Sequence, residues 1–526
     1  MLRQSGLGFA HPPALSALRK HGAWALPLLS GVLLFLVCPG PGLSWLAFFA
    51  LLPLFASLEN AATKGQAFRR GFLCGLGFHI PGLYWFIYVA VPGWIFGSAL
   101  EALFLGFFAL LCFSFRRVNP GLLRILWMAA AWALCEWLRS EIPVFGFGWN
   151  LLGTSQWKQN VLLQSANVLG IYGLGFYIVF INASLWEAIK AWRARQRMAC
   201  ILIFAAALLA TAVVVIHGRR TLEPQQPAGE NFRVSVIQGN IPEAIKWHPD
   251  AREKIMEIHL KLSQLSAFES PDLIVWPEAS FPGYFNKDVE AQSIRELSAK
   301  TGASILVGSP HYETAGIYYN STYLVPPKMG AEERYDKIKL VPFGEYVPLK
   351  FLFGWLMPLA DAFGVGDFSA GRDYKLFHLY EGVPFATLIC FEDTFPMLTH
   401  EFARRGAHFL VVVTNDSWFG PSPAPYQHLA ASVFRAVETG LPIARAANTG
   451  VSAFISPRGK VFGTVHSKEG KELFAAGHAT GVLETGVGAT AYVRYGYLFP
   501  YANVFFMLLL FSAGWLSVKL SEKPAV

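Results

Sequence analysis

Charge is scarce in this chain. Only 15% of its 526 residues are Asp, Glu, Lys or Arg, while 54% are hydrophobic, a balance that excludes an ordinary soluble enzyme and points to a protein of the membrane. Common signatures are also missing. The sequence contains no G-x-x-x-x-G-K-[ST], no G-x-G-x-x-G after a strand, no H-E-x-x-H and no G-x-S-x-G, which removes the usual nucleotide-binding, zinc-peptidase and serine-hydrolase readings. A cleavable signal peptide fits poorly. The first apolar run leads into Pro39-Gly40-Pro41 and a second apolar run, not into an alanine-type cleavage site.

What is present is unevenly distributed. A helix crossing the hydrocarbon core needs about 20 mostly apolar residues, and eight runs approach that length: 23–37, 43–58, 71–91, 94–115, 122–138, 168–188, 199–216 and 498–518. The first two are short enough for a hairpin that dips into the bilayer. The net charge of +8 does not call for nucleic acid. Residues 219–494 hold 26 Lys/Arg against 29 Asp/Glu, leaving 17 against 6 for the remainder. Most of those excess cations, among them Arg19, Lys64, Arg69, Arg70, Arg116, Arg117, Arg193 and Lys519, alternate so as to share one face of the membrane, the cytoplasmic one by the positive-inside rule. Arg139 and Lys158 alone fall on the other side. This predicts both termini inside and a large domain outside the cytoplasm: residues 1–217 as transmembrane helices one to seven, 218–490 as an extracytoplasmic catalytic domain, and 491–526 as a last transmembrane helix and cytoplasmic tail.

Within that domain, residues 232–238, 273–276, 304–307, 322–325, 385–389 and 409–414 read as strands, several of them apolar enough to be buried on both faces. Helical patterns at 251–265 and 288–301 intervene, and the alternation predicts one α/β layered core. Of six cysteines, Cys38, Cys74, Cys112, Cys135 and Cys200 lie in or beside apolar runs, where cysteine behaves as a small hydrophobe. Cys390 stands alone in the domain, a thiol without an intramolecular partner. It follows a predicted strand, as does Glu278, and a lysine, Lys337 or Lys339, lies between them. Strand ends are where such sheets place their chemistry. A thiol that attacks a carbonyl, a carboxylate that takes its proton and an ammonium that stabilises the oxyanion suffice together for acyl transfer. Help is needed because an unaided thiol is mostly protonated at neutral pH.

The order Glu, Lys, Cys in these contexts resembles the nitrilase superfamily. Lys337-x-x-Leu340-Val341-Pro342-Phe343-Gly344-Glu345-Tyr346-Val347-Pro348 looks like its apolipoprotein N-acyltransferase branch, as do Val236-Ile237-Gln238-Gly239-Asn240-Ile241-Pro242 with Trp247, and Thr414-Asn415-Asp416-Ser417-Trp418-Phe419-Gly420. The resemblance implies a polytopic α-helical membrane domain of about eight spans plus an α/β nitrilase-like αββα sandwich. It implies Cys390 as nucleophile, Glu278 as general base and Lys337 as oxyanion-stabilising cation. The eight-residue spacing to Glu345 selects Lys337 over Lys339, and Glu345 matches a second glutamate that supports both. Glu392 and Asn320 are weaker carry-overs, with Trp247 and Trp418 as supporting or substrate-binding candidates. Family members commonly carry Tyr after the nucleophile, where this chain has Phe391; a packing role survives that change and a hydroxyl role does not.

Other readings stand beside these. Glu278 after Trp276-Pro277 also suits a helix N-terminus, Glu392 is as readily structural as catalytic, and Trp149, Trp247 and Trp418 suit packing or the membrane interface. Glu101 and His79 are expected to hydrogen-bond between helices, and Glu136, beside Arg139, to reach interfacial water. Residues 351–368, apolar but broken by Gly354, Pro358 and Asp361, are expected to form a membrane-dipping lid. The resemblance implies transfer of an acyl chain from a phospholipid, phosphatidylethanolamine first, through a Cys390 thioester to the α-amine of a diacylglyceryl-cysteine apolipoprotein. It implies no metal and no cofactor. The expected location is the bacterial inner membrane, with the catalytic domain periplasmic, and the expected state is a monomer. The alternatives are a membrane-anchored nitrilase-type amidase and a catalytically silent lipid-binding scaffold.

Overall fold

The computed structural model describes residues 13–116, 121–223, 229–328, 330–353, 367–379, 382–485 and 488–521. Its first part is helical: α1 (Pro13–Leu36), α2 (Leu52–Glu59), α3 (Lys64–Gly82), α4 (Val91–Ser114), α5 (Gly121–Glu141), α6 (Ala166–Arg193) and α7 (Arg197–Thr221). Among the described residues five helices are long and apolar enough to cross a membrane: α4, α5, α6, α7 and Gly496–Gly514 near the C-terminus. The run at 43–58 is not one helix. A 3-10 turn at Ser44–Phe48 precedes α2, whose first turn holds Pro53, a residue without an N–H to continue a helix from upstream.

Close backbone contact holds the bundle together. A Cβ on Gly71 would lie 2.2 Å from the Leu105 carbonyl oxygen and one on Gly75 would lie 2.5 Å from Ala102 Cα, so these two glycines, one turn apart on α3, let α4 approach. By contrast α7 leaves Phe204, Leu208 and Leu209 more than 60% exposed, an apolar surface suited to lipid. Two polar residues differ from expectation. Arg139 and Glu136 do not face water: both are buried. Arg139 forms an ion pair with Glu101 at 2.6 Å, and Glu136 accepts the Leu152 N–H at 2.6 Å. A charge placed at this depth persists only with a partner, and α4 and the 147–152 loop supply the partners.

The second part holds two six-stranded sheets packed face to face. The first consists of β1 (Asn231–Gln238), β2 (Leu273–Val275), β3 (Ser304–Thr314), β4 (Ile317–Val325), β5 (Glu333–Asp336) and β12 (Gly477–Glu484), in the order β12-β1-β2-β3-β4-β5. The second consists of β6 (Phe377–His378), β7 (Pro384–Ile389), β8 (Phe409–Thr414), β9 (Ile443–Ala447), β10 (Ala453–Ile455) and β11 (Val461–Phe462), in the order β11-β10-β9-β8-β7-β6. In each sheet the three central strands are parallel, β1-β2-β3 and β7-β8-β9. Helices α8 (Arg252–Ala267) and α9 (Ala291–Thr301) cover the first sheet, burying Trp276, Ile294 and Leu297 in one cluster. On the second sheet lie α10 (Pro396–Arg404) and α11 (Ala424–Thr439). This helix–sheet–sheet–helix layering explains why β8 (FLVVVT) is buried at every position.

Helix α11 also packs on α6, which joins the sandwich to the membrane bundle. Gly170 (φ 69°) breaks α6 near its start and leaves the Ile171 N–H free to donate to Glu438 Oε1 of α11 at 2.8 Å. A carboxylate at a helix start satisfies an orphan donor and complements the helix dipole. The final helix, α12 (Phe499–Ser521), returns against α5.

Candidate active site

Glu278, Lys337 and Cys390 follow β2, β5 and β7, and the packing of the two sheets brings those three strand ends to one place. Lys337 is fully buried. Its Nζ donates to Glu345 Oε1 at 2.9 Å and lies 3.5 Å from Glu278 Oε1. Asn320, on β4, donates from one Nδ2 to both carboxylates, 2.8 Å to Glu278 Oε1 and 2.8 Å to Glu345 Oε1. The remaining carboxylate oxygens accept backbone N–H groups, Glu278 Oε2 from Asn415 at 2.9 Å and Glu345 Oε2 from Val341 at 2.8 Å. Lys339 is not part of this network; its Nζ lies 5.0 Å over the Phe395 ring.

Cys390 is half-buried and adopts φ 54°, a left-handed backbone uncommon outside glycine. Burial pushes its thiol up, the Glu278 carboxylate adds to that rise, and Lys337 opposes it. Burial alone would lower Lys337, but Glu345 and Glu278 outweigh it and hold the ammonium above its ordinary range. The thiol is therefore protonated at rest beside a permanent cation, so attack requires a base, and Glu278 is the carboxylate whose charge acts most strongly on the sulfur.

Glu392 braces the two halves of the site. Its Oε1 accepts from Tyr335 Oη at 2.8 Å, Ile338 N at 2.7 Å and Lys339 N at 3.1 Å, and its Oε2 accepts from Ile389 N at 2.8 Å. The backbone just after Lys337 and the Tyr335 side chain before it are thus tied to the strand residue before Cys390. Burial pushes Glu392 up to about 7. Phe391 is packed between Phe147 (5.8 Å) and Phe395 (4.9 Å). Trp247 and Trp418 stand half-exposed at 52% and 45%, unlike Trp149, which is buried. Residues 354–366 of the expected lid lie outside the described residues. Just before them Phe351 is exposed, and Lys350 pairs with Asp367 at 2.8 Å, closing the base of the segment.

Several polar residues here are not among the candidates read from the sequence, although Asp416 lies within the Thr414–Gly420 motif. Lys246, next to Trp247, is buried and donates to the Glu278 carbonyl oxygen at 3.2 Å; burial lowers its pKa. Beneath the Cys390 turn, Asp393, Asp416, His428 and Arg445 are all fully buried. Their partners are far apart in the chain, so only the fold reveals the cluster. Burial alone would depress His428, but Asp393 and Asp416 hold it up at about 9 against burial and Arg445.

Comparison with known proteins agrees with this architecture. Residues 30–184 match the apolipoprotein N-acyltransferase N-terminal domain family, and residues 233–477 match the carbon-nitrogen hydrolase family. An apolipoprotein N-acyltransferase of Geobacter metallireducens is 36% identical over 91% of this chain and 93% of its own length. The chain belongs to the apolipoprotein N-acyltransferase family. One of Allorhizobium ampelinum is 34% identical over 83% of this chain and 86% of its own. Among solved structures, an amidase of the nitrilase superfamily from Nesterenkonia is 17% identical with a TM-score of 0.38, covering 52% of this chain and 96% of that one. In this chain the carbon-nitrogen hydrolase domain is joined to apolar helices that match the family's N-terminal domain.

Proposed function

We propose that this N-acyltransferase moves an acyl chain from a phospholipid to the α-amine of the N-terminal diacylglyceryl-cysteine of an apolipoprotein, with Cys390 as the carrier. Glu278 takes the Cys390 proton as the sulfur adds to the ester carbonyl. Lys337 faces the developing oxyanion, and its ammonium needs no reorganisation because Glu345 and Glu278 already hold it, themselves bridged by Asn320. The C–O bond to glycerol breaks, Glu278 returns the proton to the leaving oxygen, and a thioester and a lysophospholipid result. In the second half the amine adds to the thioester, the C–S bond breaks, and the amine proton passes through Glu278 to the sulfur.

The observation that carries this reading is the Lys337 ammonium, buried at the end of β5, held between Glu278 and Glu345 and acting with its charge on the Cys390 sulfur. The membrane bundle supports a lipid-borne donor and acceptor, since about 0.8 kcal/mol per buried methylene keeps a two-chain lipid in the bilayer. Phosphatidylethanolamine as donor, an inner-membrane location with the sandwich periplasmic and both termini cytoplasmic, and a monomeric state complete the proposal. Purified protein incubated with acyl-labelled phospholipid should carry a hydroxylamine-sensitive adduct that Cys390→Ala lacks. Equal labelling of Cys390→Ala would reject the nucleophile, and turnover to free fatty acid without transfer to a lipopeptide would reject the transferase in favour of an amidase-like hydrolase.

A further inference from the structure

We propose that His428 is a positioning residue for the nucleophile: its imidazolium, covered by Trp149 from the membrane-side loop, fixes the Cys390 turn through the Cys390 carbonyl oxygen. This rests on Cys390 being the acyl carrier. His428 Nε2 lies 3.3 Å from that carbonyl oxygen, and Nδ1 lies 3.0 Å from Asp416 Oδ1. Asp393 Oδ1 also lies 2.9 Å from Nε2, and all three atoms facing the ring nitrogens only accept hydrogen bonds, so both nitrogens must carry hydrogen. The imidazolium is demanded by geometry alone.

Its charge is balanced by a closed ring. His428 Nε2 is 2.9 Å from Asp393 Oδ1, Asp393 Oδ2 is 3.0 Å from Arg445 Nη1, Arg445 Nη2 is 3.3 Å from Asp416 Oδ2, and Asp416 Oδ1 returns to His428. Two carboxylates alternate with two cations, and nothing in the ring touches solvent. The ring spans the elements that carry the chemistry. Asp393 lies three residues beyond Cys390, and Asp416 follows Asn415, whose N–H anchors Glu278. A structural ion cluster would not need to direct one N–H at the single residue whose backbone is left-handed at the nucleophile.

The cover comes from the membrane side. The Trp149 ring stands 5.3 Å from that of His428, and its Nε1 donates to Gln427 Oε1 at 2.7 Å. The Trp149 carbonyl oxygen accepts from Arg139 Nη2 at 3.0 Å, and Arg139 is the partner of Glu101 on α4. Next to it, a Cβ on Gly148 would come within 2.5 Å of the Thr394 carbonyl oxygen, so this loop sits directly on the nucleophile turn.

Two substitutions separate positioning from bulk stability. The amide nitrogen of His428→Gln reaches the place of Nε2 and keeps a donor for the Cys390 carbonyl; that of His428→Asn reaches only the place of Nδ1. Both remove the same charge. Single-turnover thioester formation should stay within about threefold of the parent in His428→Gln and fall about tenfold to a hundredfold in His428→Asn, the scale of a nucleophile displaced by a fraction of a bond length to an ångström. The KM for phospholipid should be unchanged in both. Equal loss in the two variants, or no loss in either, overturns the proposal. If both variants fail to fold, Trp149→Leu decides: kcat down with KM unchanged supports positioning, and parental kinetics refute it. Cys390→Ala is run alongside, because a thioester surviving there sinks the carrier assignment itself, not the role of His428.

Discussion

Replacing Glu392 by Gln separates a brace from a proton donor. The carboxylate accepts four donors, three from the Lys337 side and one from Ile389. Either orientation of the amide turns its NH2 toward an N–H. The milder one places it at Oε2, opposite Ile389, and leaves that buried donor unsatisfied at a cost of about 1–3 kcal/mol. The pH dependence moves the other way. Burial raises Glu392 from its usual 4.5 to about 7, so between those values the folded protein holds the proton more tightly than the unfolded chain. Stability from this group is therefore greatest below about 4.5 and is lost as pH rises to about 7, by about 3 kcal/mol at 1.36 kcal/mol per unit. Glu392→Gln should consequently unfold at lower temperature than the parent at pH 5, and the gap should narrow or close at pH 8. Thermal unfolding in detergent at the two values measures this. Acyl transfer should fall at every pH, with its acid limb unmoved, because the brace and not the proton is lost. A gap that widens from pH 5 to pH 8, or an acid limb that disappears, would refute the reasoning.

Asn320→Asp places a third carboxylate against Glu278 and Glu345 in place of a shared donor; thioester formation should fall at least about a hundredfold, and Asn320→Ala should lose less, as read by intact mass. Glu101→Gln leaves Arg139 buried without its countercharge and should cost about 3–5 kcal/mol in unfolding experiments, more than Glu101→Gln adds in a chain already carrying Arg139→Met. Phe391→Tyr restores the family's phenol and should leave kcat within about threefold, because the ring's neighbours are Phe147 and Phe395. Residues 351–368 should be protected from hydrogen exchange in lipid nanodiscs, and full exchange there would reject a membrane-dipping lid.

How much was legible follows from where each residue's partners lie. The strands at 232–238 and 409–414 announce themselves because a buried parallel strand is a short apolar run. β9 (IARAA) does not, because Arg445 in its centre reads as surface until Asp393 and Asp416 are seen beside it. α11 is buried on nearly every side while carrying His428, Arg435 and Glu438, so no apolar face marks it. Glu278, Lys337 and Cys390 stand out in the sequence because each follows a strand or sits in a long motif. Lys246 reads as an exposed lysine until its contact with the Glu278 carbonyl shows otherwise. Glu136 and Arg139 were placed by hydropathy at the water boundary, a one-dimensional reading that cannot see the 147–152 loop folding back to satisfy them.

A transferase must also keep water from its thioester until the amine arrives, and here the membrane bundle shapes the chemistry. Cys390 is half-buried, and the residue after it is pinned under Phe147, which the loop after α5 contributes. An apolar wall on that side should slow hydrolysis without hindering an amine delivered from the bilayer. Phe147→Ala opens the wall while leaving Glu278, Lys337 and Cys390 in place. Acyl-enzyme formed from labelled phospholipid and then chased without acceptor should decay faster in this variant, by about tenfold, releasing free fatty acid, whereas its rate of formation should change little. With a lipopeptide acceptor present, the fraction of label transferred should drop correspondingly. An acyl-enzyme in Phe147→Ala as long-lived as the parent's would mean that the wall excludes nothing, and that the protection of the thioester must come from elsewhere in the site.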